Sequence, residues 1–413
     1  MNTPLRVGLV GCGEVSAAHF DAILANPDAT LVAIADTDEA QCAATAERYS
    51  ARGYAEYKQM LSSEQLDLVH ICTPHHLHAD MAITCLEQSI NVLVEKPPAT
   101  TIAAAQQMID VAKRSQAQLG VCFQNRYNHT SQALHDTLQS HRLGDVRGAV
   151  AYVTWFRDSH YYRTKEWRGR WATAGGGVLI NQAIHTLDLL LWFLGEVQDV
   201  RGSASTLLLN DVIEVEDSVS LVLTHAGGIR SVIFATNNYV YGAPITIEIH
   251  TESATARLNT ELTVTYADGR YETIARAPRL TGEKAHWGSS HGRLIDDFYR
   301  HVREGQPFWI DATEAMRALS VISSVYAQST APPRVRQECG VSDALPAKLF
   351  GLAWDCPTNG VSGLTRRAGA RREGWRLMTA TLNDMAKKKD TEQSAEQQAA
   401  AELVRLPGSR VCR

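Results

Sequence analysis

A chain of 413 residues is long enough for two or three domains, and 45% hydrophobic with 21% charged residues is the make-up of a globular protein rather than a disordered one. A formal charge of −5 with both signs interspersed offers no basic field to a nucleic acid, and no apolar run reaches the roughly 18–20 residues of a membrane span. Eight cysteines lie scattered without metal-ligand or redox spacing, and the N-terminus runs into a strand without a secretion leader, so the sequence predicts a cytoplasmic protein with reduced thiols.

Leu5–Val10 reads as an apolar strand that ends in Gly11-Cys12-Gly13-Glu14-Val15-Ser16, after which the pattern turns helical through Phe20, Ile23 and Leu24. A strand, a glycine turn and a helix start form a pyrophosphate cradle, because glycines admit the phosphates and the helix N-terminus presents free N–H groups. Gly11, Gly13, Glu14 and Val15 are therefore candidate cofactor contacts, with Ser16 standing where the fingerprint carries Gly or Ala. A second strand, Leu31–Ala35, ends at Asp36, where a dinucleotide fold places the carboxylate that holds the adenosine ribose hydroxyls. A 2′-phosphate there would face that anion with a repulsion of about 4 kcal/mol at 4 Å, and no arginine follows to offset it, so the expected cofactor is NAD.

The alternation continues with helix 39–49, a strand near Tyr54, helix 57–62, strand 68–72, helix 78–88, strand 91–94, helix 102–115 and strand 118–123. Strands alternating with helices predict a doubly wound parallel sheet whose ligand lies beyond the carboxyl ends of the strands. Those ends carry Thr73, Pro74, His75 and His78, then Glu95 and Lys96, then Gln124 and Arg126. The histidines could suggest a metal, but no carboxylate or thiol completes an obvious set beside them, and no metal is expected.

From Asp145 onward the pattern changes to alternating strands at 150–156, 200–209, 218–224, 229–235, 245–250 and 262–266, which predicts a mostly antiparallel sheet with one polar face. Between the first two of these lies Tyr161–Trp171, where aromatics mixed with arginines suit a polyhydroxylated ring, Arg168 and Trp171 above all. Three glycines, 175–177, then lead into an apolar helix over 178–194. At about 100° per residue its polar members Asn181, His185 and Asp188 fall within roughly 60° of one another, a stripe that needs water, ligand or other polar chains as partners. The expected closing helices are 293–304, preceded by a His286-Trp287-Gly288 turn that faces the cleft, and 312–328. Residues 332–413 mix Pro, Gly and clustered arginines with a Gln/Ala-rich stretch and read as a disordered tail.

Taken together, the glycine loop, Thr73-Pro74, Glu95-Lys96-Pro97, Asn125-Arg126-Tyr127-Asn128 and the triple glycine before His185 and Asp188 resemble the Gfo/Idh/MocA oxidoreductases over about residues 5–330. The resemblance implies a Rossmann domain (1–124), an open-sheet substrate and oligomerisation domain (125–331) and a tail (332–413) outside the family's frame. It further implies a nicotinamide-dependent reaction at a hydroxyl of a sugar, sugar derivative or cyclitol, with a homodimer or homotetramer packed through the open sheet. Lys96 and His185 map to the groups acting at that hydroxyl, with Tyr127, Arg168, Trp171 and Asn181 beside the substrate and Pro97 in a cis peptide. Asn181 departs from the aspartate of inositol dehydrogenase-like members, so it can hold His185 in register but cannot tune it by charge. Two other readings fit the same motifs: a glycoside hydrolase that oxidises transiently with retained NAD, and a non-catalytic cofactor-sensing regulator. Residues 378–406 resemble the start of mutator-type insertion-sequence transposases, which would make the tail an accident of reading frame.

Overall fold

A computed structural model describes residues 3–277 and 290–330 of the chain. The first part alternates strand and helix: β1 (Leu5–Val10), α1 (Ser16–Ala25), β2 (Ala29–Ala35), α2 (Glu39–Tyr49), β3 (Arg52–Tyr54), α3 (Tyr57–Ser63), β4 (Leu68–Ile71), α4 (His78–Glu87), β5 (Asn91–Val94), α5 (Ile102–Arg114) and β6 (Leu119–Val121). The strands form one parallel sheet in the order β3-β2-β1-β4-β5-β6, as the alternation predicts. Helices cover both faces, which is why β4 is buried at every position instead of alternating. Helix starts are fixed locally: the Asp38 side chain accepts from Gln41 N ahead of α2, and the Thr101 hydroxyl accepts from Ala104 N ahead of α5. The strand order reverses between β1 and β4, so the turns after these two strands flank a crevice.

The second part comprises α6 (His129–Gln139), β7 (Val146–Thr154), α7 (Ser159–Arg163), α8 (Trp171–Ala174), α9 (Val178–Asn181), α10 (Ile184–Leu194), β8 (Val197–Ser205), β9 (Ser218–His225), β10 (Arg230–Thr236), β11 (Thr246–Thr251), β12 (Ala254–Leu258), β13 (Glu261–Tyr266), β14 (Tyr271–Arg276), α11 (Ser290–Glu304) and α12 (Ala312–Thr330). Its eight strands run β14-β13-β12-β11-β7-β10-β9-β8, antiparallel except for the central β7–β10 pair. One face packs on α6, α9 and α12, with residues such as Ala151, Val153, Leu221, Ile233 and Ile249 buried in it. The other face presents Tyr152, Val222, Val232 and Phe234 outward. Two late helices tie the parts together, α11 packing on α1 and α12 on α5 and β8.

Several expectations shift. The first and second strands of this sheet begin at Val146 and Val197, and β12, β14 and α6 are additional elements. Helix 178–194 is not continuous: Val178 O accepts from both Gln182 N and Ala183 N, which widens the turn, and the path bends by 54° between residues 171–181 and Ile184–Leu194. No single helix among the described residues is long and apolar enough to cross a membrane. The His286-Trp287-Gly288 turn and the tail lie outside the described residues.

Candidate active site

The carboxyl ends of β1, β2, β4, β5 and β6 open on a cleft of about 1080 Å³ that α7, the loop after it, and the α9–α10 junction close from the other side. At its floor Gly11 adopts φ +94°, and a Cβ there would meet Cys72 O at 2.7 Å, so only glycine lets the β1 turn pass the end of β4. A Cβ at Gly13 would meet no protein atom within 4 Å; it would project into space that faces the cleft. The Asp36 carboxylate is oriented by two backbone donors, Cys12 N at 2.6 Å and Asp38 N at 2.9 Å. Cradle, open glycine and aimed carboxylate fit a dinucleotide with a free 2′-hydroxyl.

The histidines after β4 hold the walls. His75 Nδ1 hydrogen-bonds Ala174 O at 2.8 Å, and His78 bridges Pro97 O and Thr73 O at 2.7 Å each, stapling the β4 turn to the β5 turn. Thr73, Pro74, His75 and His78 all line the cleft. The Lys96–Pro97 peptide is cis.

Lys96 reaches across from the first part, its Nζ donating to Asn181 O at 3.0 Å. His185 faces the same cleft from the first turn of α10, and its Nδ1 has no hydrogen-bond partner among the described residues. Burial lowers the proton affinity of both groups, and the Lys96 charge presses His185 further down, well below the usual imidazole range. His185 is therefore a neutral imidazole. Asn181 Nδ2 points to Tyr161 Oη at 3.5 Å, beside Gln182 Nε2 at 3.2 Å. The glycines before α9 are forced by close packing: a Cβ on Gly177 would meet Glu216 O at 1.8 Å. The Glu216 carboxylate accepts from Gly177 N at 2.8 Å, Leu179 N at 2.9 Å and Tyr326 Oη at 2.9 Å.

Gly11, Gly13, Glu14, Val15, Asp36, Glu95, Gln124 and Arg168 also line the cleft. Arg168 stacks on the Tyr161 ring at 4.1 Å and reaches Glu14 at 3.5 Å, bridging the two walls. Three expected residues are placed elsewhere. Arg126 is 1% exposed and gives its guanidinium to Asp188, at 2.8 and 2.6 Å, and to Glu314 at 2.8 Å. A buried cation needs buried counter-charges, and this also removes Asp188 from the polar stripe. Tyr127 donates to Asp297 at 2.6 Å, and Trp171 donates to Glu214 O at 2.8 Å on the far side of the glycines. The cleft adds Arg157, Lys165, Gln182 and His291, which motif reading did not single out. His19, Glu95, Cys122 and His291 bring ligand-type atoms within 4.8 Å of one another below the cleft.

Comparison with known proteins agrees with this architecture. The model of an oxidoreductase family with an NAD-binding Rossmann fold matches residues 5–123, and that of the GFO/IDH/MocA C-terminal domain matches residues 131–257. D-glucoside 3-dehydrogenase of Escherichia coli is 32% identical over 47% of this chain, which spans about half (55%) of that protein. Inositol 2-dehydrogenase of Rhizobium meliloti is 24% identical over 77% of this chain and 94% of its own. The crystal structure of the WlbA dehydrogenase from Chromobacterium violaceum with NADH and UDP-GlcNAcA is 30% identical, with a TM-score of 0.71 over 80% of this chain and 94% of its own.

Proposed function

The chain belongs to the GFO/IDH/MocA oxidoreductases, and from that premise we propose that it moves a hydride between NAD and a ring hydroxyl or ketone of a sugar, sugar derivative or cyclitol. The observation that carries this reading is the meeting, in one buried cleft, of the Lys96 ammonium and the unpartnered His185 imidazole beside a dinucleotide cradle. Bound NAD supplies the hydride acceptor. The residues do the rest: His185, neutral, takes the hydroxyl proton, and Lys96 stabilises the negative charge that grows on the same oxygen.

The base role needs the proton state that burial imposes on His185, since a protonated imidazole could not act as base, whereas Lys96 is favoured as an ammonium by the Glu95 carboxylate and against its burial. The Asn181 carbonyl holds Lys96 from the opposite wall, so Asn181 acts as a positioning residue through its backbone. Tyr161, Lys165 and Arg168 offer an aromatic face and donors to a polyhydroxylated ring. The relatives named above act on glucosides and inositol by name, which supports the substrate class and favours net oxidation over transient oxidation in a hydrolase. A panel of sugars, cyclitols and sugar nucleotides with NAD, followed at 340 nm, tests it. NADH formation with at least one is expected; silence with all of them, in both directions, would refute it.

A further inference from the structure

Beneath the cleft runs a chain of buried groups that the chemistry above leaves unused. Tyr299 Oη hydrogen-bonds His70 Nε2 at 2.8 Å, His70 Nδ1 meets His19 Nδ1 at 2.7 Å, and His19 Nε2 meets Glu95 Oε1 at 3.0 Å. Tyr299 is 1% exposed, both histidines 0% and Glu95 4%. Other groups face Glu95 from every side: His291 on α11 at 3.5 Å, Cys72 after β4, Cys122 after β6, and Lys96, whose backbone N–H donates to Glu95 Oε2 at 3.2 Å. His75, His78 and His185 lie further off within its field.

The proton arrangement follows from counting donors. Burial keeps both imidazoles neutral, so each has one N–H and one lone pair. Only two arrangements then satisfy all three contacts. In the first, Tyr299 donates to His70, His70 to His19 and His19 to the Glu95 carboxylate, and every proton has an acceptor. In the second, Glu95 is a carboxylic acid that donates to His19, every bond reverses, and the Tyr299 hydroxyl proton is left without an acceptor among the described residues. A buried donor without an acceptor is costly, so the chain favours the carboxylate. Burial alone would push Glu95 up, but the hydrogen bonds from His19 and His291 outweigh it and hold the carboxyl well below its usual range.

We propose that Tyr299, His70 and His19 are a positioning relay that fixes the Glu95 carboxylate beside Lys96 as a standing counter-charge to the reacting groups. The relay rests on the hydride-transfer reading for its purpose, but its geometry stands on these contacts alone. Without that charge, Lys96 and His185 would both bind protons less tightly, and the pH range in which one is an ammonium and the other a base would slide downward.

The experiment uses the full chain with NAD and compares wild type with Glu95→Gln, Tyr299→Phe and His70→Asn. Glu95→Gln deletes the charge and is expected to move both limbs of the kcat/KM profile to lower pH by about one unit, tenfold in each protonation ratio. Tyr299→Phe, the mildest change and the one furthest along the relay from the cleft, is expected to move them the same way by a smaller amount, with affinity for NAD unchanged. Limbs that stay in place while the rate falls would show a packing role and overturn the relay. Spectra of [15N]histidine protein give a second readout that needs no substrate. His19 is expected as the Nε2–H tautomer and His70 as the Nδ1–H tautomer, and the opposite pair would overturn the proposal. The expected tautomers in a protein that reduces NAD with no sugar would support the relay and sink only the hydride-transfer reading. A stoichiometric divalent metal in the purified protein would make His19, Glu95, Cys122 and His291 ligands and also overturn it.

Discussion

Lys96 and Asp36 show how much one side chain commits to its surroundings. Lys96→Ala and His185→Ala are each expected to lower turnover at least ~10²-fold while NADH titration by fluorescence shows little change in affinity, because the roles proposed for both are at the reacting oxygen rather than at the cofactor. Asp36→Ser is expected to weaken discrimination against NADP, since the aimed anion that repels a 2′-phosphate is gone; the ratio of kcat/KM for the two cofactors measures it. That Lys96, His185 and Asp36 face one cleft was legible, because their motifs place them at strand ends and a helix start that open on it. Arg126 was not, because nothing in its neighbourhood of sequence says that Asp188 and Glu314 wait behind it in the core. Asn181 was legible as a position but not as a contact, since it is the carbonyl, which every residue has, that Lys96 finds.

The break between α9 and α10 leaves a polar group of each helix on the cleft, Asn181 before it and His185 after it. Periodicity placed Asn181, His185 and Asp188 on one stripe; Asp188, in the same unbroken α10 as His185, is instead taken up by Arg126. The alternation of the first part was readable because its strands other than β3 (RGY) are predominantly apolar, whereas β12 (ATARL) and β14 (YETIAR) carry small or half-exposed residues that blur the period. Glu216 anchors the start of α9, and burial pushes its carboxyl up to about 7 against the hydrogen-bond donors that favour the anion. A raised carboxyl contributes stability that is present below its unfolded value and lost as pH rises through about 7. Relative to Glu216→Gln, wild type is therefore expected to lose on the order of 2 kcal/mol between about pH 5 and 8, read from denaturant melts at each pH. A constant difference across that range would count against the buried, proton-binding Glu216.

The open face of the eight-stranded sheet is the surface through which we propose that the molecule meets its copies. Val232 lies between Val150 and Val222, and Phe234 beside Tyr152, which makes an apolar strip across the neighbouring strands β7, β10 and β9. Tyr152, Val232 and Phe234 are 42%, 41% and 40% exposed, a patch of the kind that self-complementary dimers cover. Light scattering is expected to report a dimer or tetramer, and Phe234→Asp to shift it toward monomer; an unchanged mass would place the interface elsewhere. The C. violaceum structure overlays 94% of its own chain on 80% of this one. Truncation after Thr330 is accordingly expected to leave melting temperature and NAD reduction intact. Loss of folding would show that residues beyond the family's frame belong to the protein's working part.

The strands β7 and β10 lie side by side and point the same way, so the chain between them must cross over: it leaves the sheet after β7 and re-enters it at the edge strand β8. That excursion bears Tyr161, Lys165, Asn181 and His185. The groups proposed to react travel on a long detour from the inside of the sheet to its rim, and both of its ends are anchored only when β7 has met β10 and β8 has met β9. Such distant pairing is slow beside local helix formation. On dilution from denaturant, ellipticity should return first, and the power to reduce NAD should be the last property the protein recovers.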